Sequence, residues 1–232
     1  MLLMHEVHKV KGAEEDAFEA AFRDGWMPLL AAGDDARLLW YANHAHGSGM
    51  SYQVVTVTAV RDAAAWGRLV DRIGHGDLQG WMRDLDLLRH DVTGTLQVPL
   101  PWSPMLDVDF ASVPTDGRVH EPTMYMEDTM WPYEGRLDDY IEACGKVYSR
   151  SLQYDDPFIA IESAVQTAFG SQARAQVTLM QRVRKLDQLE RLLGSEMDPA
   201  LRGPGTWMHD ALELRDQWES KLLRTSNWSP LF

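Results

Sequence analysis

The chain has 232 residues, 45% of them hydrophobic, enough to bury one sizeable core or two small ones. Its 35 acidic and 22 basic residues leave a net charge of −13 with no Lys/Arg cluster, which excludes nucleic acid and an anionic membrane surface as partners. Cys144 is the only cysteine, no apolar run approaches the ~18 residues of a membrane span, and "MLLMHEVHKV" is too short and polar for a signal peptide, so a reducing, cytoplasmic setting is expected.

"LLMHEVHKV", short, apolar and β-branched, predicts a first strand. After Gly12, Phe18, Phe22, Trp26 and Leu29 recur at three- to four-residue spacing, which predicts an amphipathic helix over residues 13–30 facing a sheet. "ARLLWYANHAH" and "SYQVVTVTAV" read as two strands joined through the glycine-rich "GSGM". A second helical stretch runs from residue 63 through the break "GHGDLQG" to about residue 90, and "GTLQVPL" closes the series as a strand. The same order then returns: "TMYMEDTMW", a helix over 136–152, "FIAIESAVQTAFG", "ARAQVTLMQRV", a helix from Leu186, an insert containing "DPALRGPG", a helix from Trp207 and a strand near "KLLRTSN". βαββαβ is the ferredoxin-like motif, an α+β unit with helices on one sheet face.

The return of the order is also a return of sequence. "WMRDLDLLRHD" from Trp81 resembles "WMHDALELRDQ" from Trp207, and "WSP" at Trp102 recurs at Trp228, both 126 residues on (207 − 81 and 228 − 102). Earlier in each copy the offset is 123: Gly12 matches Gly135, Asp16 matches Asp139 and Gln53 matches Gln176. A register held this long with one small insertion indicates duplication. It divides the chain into unit 1 (1–104), a linker (105–122) and unit 2 (123–232). Each sheet leaves one face uncovered, so the two are expected to pack sheet to sheet as an intramolecular pseudo-dimer, either a monomer with pseudo-twofold symmetry or part of a higher homo-oligomer.

"MYMEDTMWPYEGRLDDYIEA" (124–143) and "AQVTLMQRVRKLDQLERLL" (175–193) resemble the opening strand, first helix, third strand and second helix of NIPSNAP-like proteins, within the dimeric α+β barrel superfamily. The tandem arrangement also resembles chlorite dismutase-like chains, without their features around a second-half proximal histidine. The superfamily includes cofactor-independent monooxygenases, polyketide cyclases and haem enzymes, so the resemblance implies a fold and a pocket more than a reaction. It implies oxygenation or isomerisation/cyclisation of an apolar or aromatic small molecule, with no tightly bound organic cofactor; haem or a divalent metal is the alternative, and a non-catalytic binding or assembly module a third.

"WYANHAHG" (40–47) carries the candidate chemistry. In a strand Trp40, Ala42, His44 and His46 share one face, and at offset 123 they fall on Ser163, Val165, Thr167 and Phe169, within an apolar line. The histidine pair then faces a buried side. It reads as hydrogen-bonded core histidines, as two ligands of a metal still short of a third donor, or as acid/base groups in a pocket. His5 interrupts Leu3 and Val7 as Asp128 interrupts Met126 and Met130, a polar group at matching inward positions that must be paired or wet. The expected site is therefore His44, His46, His5 and Asp128 for catalysis, with Trp40, Tyr41, Asn43, Tyr52 and Trp131 around the substrate and no assigned metal site. His8 and Trp131 are expected on the opposite face from His5 and Asp128, and Cys144 as inert helix packing. No Walker A loop, G-x-G-x-x-G, G-x-S-x-G or H-E-x-x-H occurs.

Overall fold

The computed structural model describes residues 1–151, 155–171 and 174–232. β1 (Leu2–Val10) leads into α1 (Glu15–Ala20), a π-helical segment (Ala21–Trp26) and α2 (Met27–Ala31), which together replace the single helix expected over 13–30. Aromatic residues spaced strictly by four drift around an α-helix of 3.6 residues per turn, and the wider π turn brings Phe18, Phe22 and Trp26 back towards one line. Gly25 makes room for Trp81, whose indole lies where a Cβ would meet it at 2.6 Å and donates to Ala21 O at 3.0 Å.

β2 (Ala36–His44), β3 (Gln53–Val60), α3 (Ala63–His75), α4 (Gln79–Leu88) and β4 (Arg89–Pro99) complete the first half. β5 (Met124–Pro132), α5 (Leu137–Ser151), β6 (Ile159–Thr167), β7 (Val177–Val183), α6 (Leu186–Gly194), α7 (Trp207–Asp210) and β8 (Arg215–Thr225) form the second. Leu152, the expected end of the helix over 136–152, lies outside the described residues. Both closing strands start earlier than their sequences suggest: the helix expected to reach residue 90 stops at Leu88, and the one expected from Trp207 lasts four residues. Pairing with β1 from Val10↔Arg89 to Leu3↔Gln97, and with β5 from Pro132↔Arg215 to Met124↔Arg224, draws polar residues into strands against their local preference.

The strands close into a barrel in the order β1-β3-β2-β8-β5-β7-β6-β4, every adjacent pair antiparallel. Each half contributes the ferredoxin-like order β4-β1-β3-β2 or its counterpart, and the halves join at β2–β8 and β4–β6, which removes all four sheet edges. In a ring of eight, β1 and β5 stand opposite each other.

Helices cover the outside. Met4, Phe18, Phe22, Trp26, Tyr41 and Trp228 form one outer core, and Met130, Tyr140, Cys144, Ile161 and Leu179 the other. Burial pushes the Cys144 thiol up to about 12, which fits packing rather than nucleophilic use. Inside the barrel Leu3, Trp40, Val57, Tyr125, Val165 and Leu223 meet Phe110 and Val113 from the 105–122 segment. That segment is therefore core as well as connection, with the Arg37 and Arg61 guanidiniums 5.6 and 5.0 Å from the Phe110 ring centre.

The "WSP" stretches fasten one half to the other. Trp102 donates to Ile141 O on α5 at 3.0 Å, while Trp228 donates to Glu19 on α1 at 2.6 Å. Ser103 Oγ accepts the Ala164 N–H at 3.0 Å and Ser229 Oγ accepts the Tyr41 N–H at 3.1 Å, just past a bulge in β6 and in β2. Each half thus clasps the second strand of the other in the same way.

Candidate functional site

The first strand of each half sets the interior chemistry. β2 and β6 start 123 residues apart (159 − 36), but β1 and β5 only 122 (124 − 2), because the second half has one more residue between its strand and its glycine turn. A slip of one residue exchanges the faces of a strand. The inward counterpart of His5 is consequently Glu127, and the expected pairing of His5 with Asp128 as matching inward positions is corrected. Asp128 faces the helices, where Gln181 donates to it at 2.8 Å and burial raises its carboxyl despite that bond.

His5 and Glu127 meet across the lumen, Nε2 to Oε2 at 2.7 Å, between opposite strands. Lys221, the β8 neighbour of Glu127, places Nζ 3.6 Å from Glu127 Oε1 and 3.2 Å from Glu219 Oε2. Burial alone would raise the Glu127 carboxyl, but His5, Lys221 and His44 outweigh it and hold the group down at about 2. At neutral pH the lumen therefore contains an anion tied to both halves.

His44 sits at the edge of this cluster, at the last position of β2. The turn that follows bends back over it. Gly49 has no side chain because a Cβ there would collide with Nδ1 of the imidazole. Both ring nitrogens are closed off from solvent and meet no protein hydrogen-bond partner. Burial lowers the imidazole pKa and the Lys221 ammonium lowers it further, against the pull of Glu127 and Glu219, so the ring is neutral at neutral pH. Leaving a buried polar group unpaired costs about 1–3 kcal/mol. Gly49→Ala is expected to displace the ring and lower stability by about 1–3 kcal/mol. The imidazole signals of His44 in a ¹H–¹⁵N spectrum should move, and unchanged signals would show that the turn does not hold the ring.

A cleft of about 560 Å³ opens beside the turn, with Glu15, Asn43, His44, His46, Tyr52 and Arg224 in its wall. Four of the residues expected from the sequence thus meet at one place. Asn43 and Arg224 are paired neighbours on β2 and β8, so the wall spans the junction of the two halves. Tyr52 adopts a left-handed backbone, φ 60°, rare and costly for an aromatic residue. Its carbonyl accepts the Val10 N–H at 2.9 Å and its ring lies against Gly12.

His5, Asp128, Trp40, Tyr41 and Trp131 lie elsewhere, and one of the four cleft residues departs from its expected burial. His46 is past the end of the strand and exposed, as is Phe169 in the second half, so the expected buried pair reduces to His44. Trp40 points into the barrel, edge-on to Tyr125 at 6.2 Å. Tyr41 faces the helices among Phe18, Phe22 and Trp228, its buried hydroxyl without a protein partner. Trp131 is half-buried near the end of β5 and shares the inward alternation of Tyr125, Glu127 and Thr129, opposite Asp128 as expected but on the same face as His5 rather than opposite it. His8 does face the helices, accepting from Arg89 at 2.9 Å on Nδ1 and donating from Nε2 to Thr56 at 2.9 Å; burial, Arg89 and His5 push it down to about 3. Glu127, Lys221 and Arg224 were not singled out by the sequence. The glycine-to-strand spacing held the signal for Glu127, but Lys221 and Arg224 sit in an ordinary polar strand.

Eight antiparallel strands in a closed ring, with helices outside, define a dimeric α+β barrel completed within one chain. A protein from Fusobacterium nucleatum subsp. nucleatum, proposed to be a monooxygenase, has the same fold: 7% identity over 99% of this chain and 95% of that one, TM-score 0.60. An anthrone oxidase-like protein matches 97% of this chain and 91% of its own at 9% identity, TM-score 0.55. A proposed chlorite dismutase matches 99% and 97% at 12% identity, TM-score 0.54. No protein-family model and no curated protein matches the chain. No helix among the described residues is long and apolar enough to cross a membrane.

Haem, left open by the resemblance, needs an axial donor facing open space. His5 is bonded to Glu127, His8 is enclosed by Phe18 and Phe22, and His44 is wedged under its turn. His120 stacks on Phe232 at 3.5 Å, His209 bonds Asp210, and His46, His75 and His90 stand on the surface. With the 47–49 turn in place, no histidine inside the barrel offers a free axial nitrogen to a haem. Among the described residues no three His, Cys, Asp or Glu side chains are grouped to hold a metal ion.

Proposed function

We propose that the protein is a small-molecule enzyme in which neutral His44 removes a proton from a bound substrate at the cleft between the halves. One observation carries this reading: a tuned imidazole with both nitrogens unsatisfied, at the wall of a cleft and backed by the charged cluster of Glu127, Lys221 and Glu219. Proton removal is the opening step of both cofactor-independent oxygenation and isomerisation or cyclisation. The deprotonated substrate either gives electrons to dioxygen or takes the proton back at another atom. Existing proteins of this fold that are proposed monooxygenases or anthrone oxidase-like support the former.

In this scheme the 47–49 turn lifts to admit substrate to the imidazole. Glu127 and Lys221 stay in place and fix the ring's charge state. His5 and Asp128 support the barrel rather than touch substrate, while Asn43, His46 and Tyr52 line the entrance and Trp40, Tyr41 and Trp131 shape the surrounding core. The same reading takes residues 1–104 and 123–232 as two copies of one unit joined by 105–122, with the base kept only in the first. The reciprocal Ser103 and Ser229 clasps support it. The lone buried Cys144 supports a reducing, cytoplasmic setting.

The test is a probe that reports proton abstraction alone. 5-Nitrobenzisoxazole loses its ring C–H proton to a base, the N–O bond breaks, and a coloured cyanophenolate forms without oxygen or cofactor. The intact protein is expected to open it faster than buffer, and His44→Gln to lower that rate on the order of 100-fold. Equal rates for the two proteins would overturn the assignment of His44 as base.

A further inference from the structure

The cleft wall bears two opposite charges that do not neutralise each other. Arg224, on β8, and Glu15, at the start of α1, both line it. Neither makes an ion pair within 4.0 Å among the described residues, although twelve other Arg or Lys side chains pair with Asp or Glu. They approach from opposite halves of the chain, one from the strand that crosses the junction and one from the helix outside β1. Asn43 and Gln53 also line the cleft, with Tyr52 and Met50 as the apolar part of its wall.

We propose that the cleft takes a zwitterionic small molecule of the amino-acid type, its carboxylate held by Arg224 and Asn43 and its ammonium by Glu15. The ring of an aromatic side chain lies against Tyr52. An Arg fork beside an amide donor suits a carboxylate, and charge-assisted hydrogen bonds of both signs select a ligand that carries both. A cavity of this size accommodates such a molecule. The proposal rests on the reading of this cleft as the substrate site and adds the substrate class to it.

Calorimetric titration of the intact protein tests the idea with three probes of one skeleton: L-phenylalanine, 3-phenylpropionate, which lacks the ammonium, and phenethylamine, which lacks the carboxylate. L-Phenylalanine is expected to bind at least about tenfold more tightly than either. Arg224→Gln should abolish its advantage over phenethylamine, Arg224→Lys should restore part of it, and Glu15→Gln should abolish the advantage over 3-phenylpropionate. Equal affinity for the three, or no binding of any, overturns the proposal. The two readings fail separately. His44→Gln is expected to keep the preference for L-phenylalanine while losing benzisoxazole opening. Opening that depends on His44 without that preference would leave the base in place and remove the zwitterion.

Discussion

Glu127→Ala is expected to lower the unfolding free energy by about 3 kcal/mol at neutral pH, the lower end of what breaking a buried ion pair costs. The variant leaves His5 without its 2.7 Å partner and Lys221 with Glu219 alone. An independent route gives the same size. The carboxyl falls from 4.5 to about 2 on folding, and about 1.4 kcal/mol per unit corresponds to about 3 kcal/mol. The sign follows from the depressed value: the stabilisation is complete above 4.5 and is lost as pH falls towards about 2. Urea unfolding of wild type and variant should therefore diverge near neutrality and converge in acid. A constant difference across that range would mean that the loss is packing, not charge.

Trp26→Ala is expected to cost about 3–5 kcal/mol. The indole is buried in the outer core of the first half, stacks on Trp81 with ring centres 4.6 Å apart, and donates to the buried Thr58 hydroxyl at 3.1 Å. Alanine would leave a cavity between helix and sheet, an unpaired Thr58 and a Trp81 without its stacking partner. Trp26→Phe refills most of the volume and should recover more than half of the loss. Denaturant unfolding reads both, and near-ultraviolet circular dichroism should lose the signal of the stacked pair in either variant. A cost for Trp26→Ala below about 1 kcal/mol would show that the π segment can collapse onto the sheet.

Much of the architecture was legible because it repeats. Phe18, Phe22 and Trp26 announce a helix with one apolar face, and the matched offsets place β2 on β6 and β4 on β8, bulges included. The polar beginnings of β4 and β8 were hidden, since their strand state comes from pairing with β1 and β5 rather than from their own residues. The site was legible in part for the same reason. Alternation from Trp40 correctly turns His44 inward, but it says nothing about where a strand ends, and His46 falls two residues beyond the end of β2 in a surface turn. A single extra residue before Gly135 moved the inward polar position from Asp128 to Glu127, the error to which a period of two is most sensitive. Arg224 and Glu15 come together only through closure of the barrel, a contact between distant segments that no local pattern carries.

The proposed reaction depends on His44 being a neutral, unpaired base at the cleft. A ¹H–¹⁵N titration of the histidine side chains, with His44 assigned through His44→Gln, tests it most directly. The His44 midpoint is expected below the ordinary 6.5, with the ring uncharged through neutral pH. A midpoint at or above 6.5 would contradict it, since a charged or ion-paired imidazole could not serve as the base.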